Sequence, residues 1–289
     1  MRLDAALAAK GLARSRTHAQ QLIADGLVWL NGTNTRKAAA LVTDEDTIAV
    51  DGIDHYVSRA AHKLIAALDA FGVDPAGRLV LDAGASTGGF SQVLLERGAR
   101  RVIALDVGRG QLSPRIRSDE RVCVIEGENV RGLTPARLAQ LSGSTELPSL
   151  TVADLSFISL ELVVPGLAAT LRPASAGSPA SVVSPEPAEA GMASASPATP
   201  ESELVLLIKP QFEVGRGGVR EGIVRSPTAR IDAVQRVLWS AYEQGLSVLG
   251  LERSPLLGSH GNVELLAHLS PTRGSSPTEW RQRVEEVAR

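Results

Sequence analysis

A glycine-rich turn between two apolar runs, in residues 79–108, is the first feature of this 289-residue chain that could bind a ligand. The turn reads DAGASTGGF, and the second apolar run ends at an acid, Asp106. A glycine turn lets a ligand approach the backbone closely. A carboxylate at the end of the following strand can accept hydrogen bonds from ribose hydroxyls. The pattern therefore predicts a site for a cofactor that contains a nucleoside.

The spacing of the glycines favours one class of cofactor over another. A dinucleotide fingerprint needs glycine at the first, third and sixth positions of the turn. Counted from Gly84, the third position is Ser86 and the sixth is Gly89. The glycine that would let the backbone approach a pyrophosphate is therefore missing. S-adenosylmethionine has no pyrophosphate, and its cationic methionine end suits an acid at the strand end, so we predict this cofactor.

Two predicted roles within this site have alternatives. Asp82 either binds the ammonium group of the cofactor or positions the turn. Asn129, after the third strand, either contacts the adenine or closes the pocket, or it only stabilises a turn. The full predicted cofactor-binding set is Asp82, Gly84, Ser86, Thr87, Gly88, Gly89, Phe90, Asp106, Asn129 and Asp154.

Two further charged residues end apolar runs and could act on a substrate. Asp154 follows SLTVA, and Lys209 follows ELVLLI. In an open α/β sheet, ligands bind outside the carboxyl ends of the strands, where both side chains should project. The structural alternatives are that Asp154 caps a turn at Ser156 and that Lys209 extends to solvent from a buried strand.

The elements that must position these residues form two domains. Residues 1–50 predict two short helices, the second capped by Ser15, and strands joined by an Asn31-Gly32 turn. From Leu79 onward strands and helices alternate, which predicts an α/β fold with a doubly wound parallel sheet. We expect an N-terminal domain at 1–52, a linker at 53–60 and a second domain at 61–289. Residues 172–203 are rich in Pro, Ser, Ala and Gly, and predict a disordered insertion.

Composition narrows the function classes. The net charge is −2, so only a local basic face could bind nucleic acid, and the 3% aromatic content disfavours proteins that stack bases on aromatic platforms. One cysteine, Cys123, suits a reducing cytoplasm. We find neither a signal segment nor an apolar stretch of about 20 residues, and expect a cytoplasmic protein without a membrane partner. No His/Cys cluster suggests a metal site.

Seven stretches together resemble the TlyA (hemolysin A) family of rRNA 2′-O-methyltransferases. They are GLARSRTHAQQLI, VSRAAHKL, LDAGASTGGF, VIALDVGRGQL, ADLSFISL, LIKPQFEVG and GNVEL. The resemblance implies a Rossmann-like, FtsJ-like methyltransferase domain and a small α+β N-terminal domain of the α-L RNA-binding type. It also implies S-adenosylmethionine as cofactor and a cytidine ribose in ribosomal RNA, or in assembled subunits, as substrate. We expect a monomer.

The resemblance further implies a catalytic tetrad of Lys63, Asp154, Lys209 and Glu264. Lys209 would be the general base or a positioned donor to the ribose oxygen. Asp154 and Glu264 would aim the two lysines, and Lys63 would hold the 2′-oxygen or a phosphate. On their own, Lys63 suggests a solvated helix residue and Glu264 an exposed strand residue. The RNA-binding set implied by the N-terminal domain and the linker is Arg2, Arg14, Ser15, Arg16, Arg36, Lys37 and Arg59.

Two features depart from the family pattern, and three alternative functions stay open. The insertion is longer than the family's, and Tyr56 stands where the family has Trp. The alternatives are a non-enzymatic RNA-binding or ribosome-assembly factor, a dinucleotide-dependent oxidoreductase and a membrane-lytic hemolysin. The last has the least support, because no transmembrane segment or long cationic amphipathic helix is evident.

Overall fold

The computed structural model describes residues 1–10, 12–13, 15–43, 45–50, 55–173, 201–215, 219, 221–258 and 261–289. Contacts between residues divide the chain into two units, Met1–His55 and Tyr56–Arg289. Arg14 and most of the predicted insertion lie outside the described residues.

The first unit consists of two helices and a small antiparallel sheet in the order β2-β1-β3. Ser15 caps the second helix as predicted, because its hydroxyl accepts a hydrogen bond from the His18 amide at 3.1 Å. Asn31 and Gly32 both adopt left-handed backbone angles, which the two-residue turn of the hairpin requires. The elements are α1 (Leu3–Ala9), α2 (Arg16–Ala24), β1 (Val28–Leu30), β2 (Thr33–Asn34) and β3 (Ile48–Val50).

The second unit contains a seven-stranded sheet in the order β6-β5-β4-β7-β8-β10-β9. The strands are parallel except β10, which pairs antiparallel with both of its neighbours. The predicted α/β fold is confirmed, whereas the reversed strand was not predicted by the alternation of elements. The strands are β4 (Leu79–Ala83), β5 (Arg101–Asp106), β6 (Val122–Glu126), β7 (Leu150–Ala153), β8 (Glu203–Ile208), β9 (Ser247–Arg253) and β10 (Leu265–Ser270).

Helices cover both faces of this sheet. Leu81 packs into one apolar cluster with α6, α7, α9 and α10, whereas the next residue along the strand, Val80, packs into a second cluster with α3, α4 and α5. Burial on both faces explains why strands such as β4 are apolar runs without alternation. The helices are α3 (Ala61–Phe71), α4 (Gly89–Glu96), α5 (Pro114–Arg117), α6 (Pro135–Ser142), α7 (Val164–Thr170), α8 (Pro210–Glu213), α9 (Pro227–Glu243) and α10 (Arg281–Ala288).

The predicted linker at 53–60 differs from the observed division of the chain. Residues 51–54 lie outside the described residues, but Tyr56, Val57 and Ala60 pack against the α3–α4 cluster. The Val57 amide also donates to Gln92 Oε1 at 2.9 Å. The segment after Tyr56 is therefore part of the second unit. Its short, mixed sequence has no periodicity from which this packing could be predicted.

The edges of the predicted insertion at 172–203 belong to the fold. Glu203 begins β8 and pairs with Leu150, and the Ser202 hydroxyl donates to the Arg172 carbonyl at 2.6 Å. A buried ion pair joins Glu203 Oε2 to Arg78 Nη1 at 2.5 Å. Although burial opposes it, hydrogen bonds from His268 and Arg78 lower the pKa of Glu203 to about 2. The insertion boundary was wrong here, because composition does not show which residues pair with a sheet.

Candidate active site

A cavity of about 470 Å³ lies at the carboxyl ends of β4, β5 and β7. It is at this edge of an open α/β sheet that ligands bind. The glycine turn after β4, the acid at the end of β5 and the loop after β7 all contribute to its wall. The predicted cofactor residues that line it are Gly84, Ser86, Asp106, Asn129 and Asp154.

The turn after β4 requires glycine at its first position. Gly84 has a φ of +87°, and a Cβ there would lie 2.7 Å from the Asp154 backbone oxygen. Ser86 is also left-handed, with a φ of 49°, and its amide donates to Asp106 Oδ2 at 2.8 Å. The other Asp106 oxygen accepts the Gly108 amide at 2.7 Å. Asp106 therefore fixes the turn and still has lone pairs available for ligand hydroxyls.

The rest of the glycine turn leads into α4 and lines a smaller cavity of about 170 Å³. Thr87, Gly89 and Phe90 contribute to its wall, together with Asp154 and Lys209. Gly88 caps α4 with a φ of 96°, and a Cβ on Gly89 would lie 2.9 Å from the Ser58 Cβ. These glycines allow the turn to pack tightly between neighbouring segments.

Asp82 lies beneath the turn and not in its cavity. The side chain is fully buried, lines neither cavity and accepts a hydrogen bond from the Ser91 hydroxyl at 2.6 Å. Burial raises the pKa of Asp82 to about 7, although the bond from Ser91 opposes the shift. This geometry supports the turn-positioning role. It gives no direct support to the predicted contact with the cofactor ammonium group, since the hydrogen bond that fixes the Asp82 carboxylate comes from Ser91 of α4.

The position of Asn129 is compatible with both the turn role and the ligand role. Its side-chain oxygen accepts the Arg131 amide at 2.9 Å and so caps a short 3-10 helix, Val130–Gly132. The same residue lines the larger cavity. The turn role and a position beside the ligand are therefore compatible.

The four predicted catalytic side chains form two buried amine–carboxylate pairs. Lys63 Nζ lies 2.5 Å from Glu264 Oε2, with only 7% and 2% of the two side chains exposed. Lys209 Nζ lies 2.6 Å from Asp154 Oδ1. This second contact meets the ion-pair distance but not hydrogen-bond geometry, since Asp154 Oδ1 has no hydrogen-bond partner among the described residues. The amine also donates to Ser156 Oγ at 2.7 Å. The structural alternatives of a solvated Lys63 and an exposed Glu264 do not hold, because both side chains are buried.

The reversed strand explains how Glu264 reaches this edge. Glu264 directly precedes β10, whose first residue, Leu265, pairs with Ile208 at the end of β8. Because β10 runs antiparallel, its start lies at the carboxyl edge of the parallel strands, opposite Lys209. Lys63 projects from α3, which packs on β10. Residues separated by about 200 positions are thus brought to one edge of the sheet.

An exposed aromatic residue at the cavity was missed by sequence reasoning. Phe157 lines the larger cavity, is 91% exposed and has a left-handed φ of 65°. Its ring lies 5.2 Å from the Phe212 ring, centroid to centroid. The low aromatic content of the chain had favoured a site without aromatic residues. A signal existed, because each phenylalanine follows a predicted site residue, Asp154 or Lys209, by three positions.

The predicted RNA-binding cations do not form one uniform group. Arg2 and Arg16 both pair with Asp4, at 3.1 and 3.0 Å, and Asp4 is fully buried. Hydrogen bonds from Arg2, Gln20 and Arg16 hold the pKa of Asp4 well below its usual range. One of the two arginine charges is therefore neutralised. The other described members of the set are exposed: Ser15, Arg36, Lys37 and, in the second unit, Arg59.

Two searches across the described part of the chain gave negative results. No group of three or more His, Cys, Asp or Glu side chains among those residues could hold a metal ion. No helix described there has both the length and the apolar character needed to span a membrane.

Comparisons with known proteins assign both units. Residues 56–270 match the FtsJ-like methyltransferase family, and residues 1–48 match the S4 domain. The 16S/23S rRNA (cytidine-2′-O)-methyltransferase TlyA of Mycobacterium tuberculosis is 44% identical over 91% of this chain and 87% of its own length. Hemolysin A of Brachyspira hyodysenteriae is 35% identical over 93% of this chain and 99% of its own length.

A solved structure gives the same result across the whole fold. A hemolysin candidate from Streptococcus thermophilus has a TM-score of 0.70 and 33% identity, covering 100% of this chain and 94% of that one. Sequence, domain order and fold thus agree. The chain belongs to the TlyA (hemolysin A) family and combines an S4 domain with an FtsJ-like methyltransferase domain.

Proposed function

We propose that this protein transfers a methyl group from S-adenosylmethionine to the 2′-hydroxyl of a cytidine ribose in ribosomal RNA. The observation that carries the proposal is the pair of buried amine–carboxylate contacts, Lys209–Asp154 and Lys63–Glu264, at the sheet edge that also holds the glycine turn. The names of the relatives supply the substrate class. We expect the protein to act as a monomer in the cytoplasm.

The residues of the larger cavity fit S-adenosylmethionine. Gly84 lines the cavity and lets the turn pack against the Asp154 backbone, and Asp106 can accept hydrogen bonds from the ribose hydroxyls. The Asp154 carboxylate lines both cavities and provides negative charge for a cationic ligand. When bound, S-adenosylmethionine supplies an electrophilic methyl group on a sulfonium ion.

The chain's own residues would align and activate the ribose. Lys209 lines the smaller cavity, where its neutral amine would accept the proton of the 2′-hydroxyl, or its charged ammonium would donate a hydrogen bond to the hydroxyl oxygen. Asp154 and Ser156 hold the amine in place through their contacts of 2.6 and 2.7 Å. Lys63, oriented by Glu264, would hold the ribose oxygen or a neighbouring phosphate. Alignment of this kind can supply much of a rate enhancement.

Phe157 would hold the target base. A ribose in a regular helix is hard to align with the methyl donor, so the target nucleotide must leave its stack. An exposed phenylalanine at the rim of the cavity offers a face on which an extruded base can stack, in a way that every base permits. The S4 domain would bind folded RNA through phosphate contacts, which position the protein without reading sequence.

The direct test replaces Lys209 and measures binding and transfer separately. We expect Lys209→Ala to reduce methyl transfer to isolated ribosomal subunits by about 10²–10⁴-fold, which is the range for a lost proton-transfer group. The affinity for S-adenosylmethionine, measured by calorimetry, should change only a few-fold. Lys10→Ala is the matched control, since Lys10 lies at the exposed end of α1 and belongs to no site.

Two results would contradict the proposal and support an alternative. Unchanged methyl transfer or unchanged cellular function in Lys209→Ala would indicate a non-enzymatic RNA-binding factor. Heat of binding with NAD but none with S-adenosylmethionine would indicate an oxidoreductase.

A further inference from the structure

Two loops carry most of the proposed machinery, and three contacts join them besides the Lys209–Asp154 ion pair. The loop after β7 contains Ser156 and Phe157, and the loop after β8 leads from Lys209 into α8. The first contact is the hydrogen bond from Lys209 to Ser156, and the second is the Phe157–Phe212 ring contact. The third is made by Glu213, which has no part in the chemistry proposed above.

Glu213 is a buried carboxylate that accepts hydrogen bonds only from neutral groups of the opposite loop. It is 7% exposed, and its Oε2 accepts the Ser159 hydroxyl at 2.6 Å while its Oε1 accepts the Leu160 amide at 3.0 Å. Among the described residues, no Lys, Arg or His nitrogen lies within 4.0 Å of its carboxylate oxygens, although Arg236 Nη2 donates to its backbone carbonyl at 2.7 Å. Burial raises the pKa of Glu213.

A buried carboxylate without a cationic partner is unfavourable, and an apolar side chain of similar volume would pack there at lower cost. Glu213 makes two directional contacts that such a side chain could not make. Both contacts go to consecutive residues of the same loop, Ser159 and Leu160. We therefore explain the presence of a glutamate at position 213 by its ability to hold that loop in one position.

Phe157 is the residue that such an anchor would affect. Bulky residues rarely adopt a left-handed φ, and this strain persists only where the surrounding structure enforces it. The Phe157 ring is 91% exposed, so its own packing contributes little. The left-handed backbone of Phe157 must therefore be held by contacts of the neighbouring residues along the chain. On one side Ser156 is held by Lys209, and two residues beyond Phe157 the chain is held by Glu213.

We propose that Glu213 is a positioning residue that anchors the loop after β7 to α8 and thereby keeps Phe157 in its left-handed conformation at the rim of the cavity. The inference rests on the proposed function, because Phe157 is there assigned to the target base. Glu213 contacts neither reacting group. Its loss should impair the use of RNA and leave the binding of S-adenosylmethionine unchanged.

The experiment compares Glu213→Leu, Glu213→Gln and a control, Glu243→Gln, in the full-length protein. Glu243 is exposed at the C-terminal end of α9, and its replacement removes one negative charge away from the anchor. Glutamine keeps one acceptor oxygen and nearly the same shape, so this variant should rescue most of the function if leucine disturbs folding. Hydrogen–deuterium exchange of the peptide that contains residues 156–162 reports on the anchor without RNA.

We expect Glu213→Leu to raise exchange in that peptide at least about tenfold and to reduce kcat/KM for ribosomal RNA at least about tenfold. The Kd for S-adenosylmethionine should stay within about twofold of the wild-type value. Glu213→Gln should lie within about threefold of the wild type in each assay, and Glu243→Gln should be indistinguishable from the wild type.

A double-mutant cycle separates positioning from a general structural role. If Glu213 acts through Phe157, adding Glu213→Leu to Phe157→Ala should reduce kcat/KM no further. Effects that multiply, or unchanged exchange in Glu213→Leu, would overturn the inference. A wild-type protein that transfers no methyl to RNA would refute the proposed function alone, since exchange would still decide whether Glu213 anchors the loop.

Discussion

Replacement of Asp82 by asparagine should make the stability of the protein less dependent on pH. Burial raises the pKa of Asp82 from 3.8 to about 7. Between these values the folded protein retains a proton that the unfolded chain releases, so the free energy of unfolding falls as the pH rises. At about 1.36 kcal/mol for each pKa unit, the titration of Asp82 lowers the free energy of unfolding by about 3 kcal/mol between about pH 5 and about pH 8.

Asparagine has no carboxyl proton to release. Between about pH 5 and about pH 8, the free energy of unfolding of Asp82→Asn should therefore rise relative to that of the wild type by the amount given above. Urea unfolding followed by far-UV circular dichroism at the two pH values measures this difference. Taking the difference removes the contributions of other titrating groups. Asp232→Asn, which changes an exposed residue of α9, is the control and should show no shift. A difference for Asp82→Asn that is the same at both pH values would refute the assignment of a protonated, buried carboxyl beneath the turn.

Two further predictions concern the turn and the S4 domain. Gly84→Ala should weaken S-adenosylmethionine binding at least about 100-fold, because its Cβ would lie 2.7 Å from the Asp154 oxygen. The control Gly77→Ala introduces the same left-handed strain, but its Cβ would meet no atom within 4 Å, so calorimetry should show wild-type affinity for S-adenosylmethionine. Equal losses of affinity in the two variants would contradict the steric argument. Arg36→Ala with Lys37→Ala should reduce the slope of log K against log salt by about 1–2, measured by RNA fluorescence anisotropy. The control Lys10→Ala, which changes a lysine near Asp46, should leave that slope unchanged. If the Arg36/Lys37 double variant loses the same affinity at every salt concentration, then Arg36 and Lys37 do not contact phosphates.

Local sequence patterns predicted the elements and the part of the site that lies at strand ends. Asp106, Asp154 and Lys209 each terminate or follow an apolar run, and parallel strands bring such termini to one edge. The glycine turn was predictable because left-handed backbone angles and close packing require glycine at fixed positions, and these positions show in the spacing of the glycines. Ser15 and the Asn31-Gly32 turn were predictable for the same reason.

Contacts between distant segments could not be predicted from local patterns. Glu264 reaches the site only because β10 runs antiparallel, and nothing in the run LLAHLS shows the direction of a strand. Lys63 lies on an ordinary amphipathic helix, and only its pairing with Glu264 distinguishes it from a surface lysine. Both residues were nominated by family resemblance.

Net charge and aromatic content did not predict the local charge of the S4 domain or the presence of an exposed ring at the cavity. Arg2 and Arg16 were counted as two positive charges, but the buried Asp4 between them neutralises one. A low aromatic content disfavoured base stacking, yet one exposed ring, Phe157, stands at the cavity. Averages over a chain do not report the position of one residue.

The most direct test of the central claim identifies the atom that receives the methyl group. Ribosomal subunits would be incubated with the protein and S-adenosylmethionine carrying a deuterated methyl group, and the digested nucleosides analysed by mass spectrometry. Transfer to the 2′-oxygen predicts labelled 2′-O-methylcytidine with the wild type and almost none with Lys209→Ala. Label on a base, or equal labelling by the two proteins, would contradict the account.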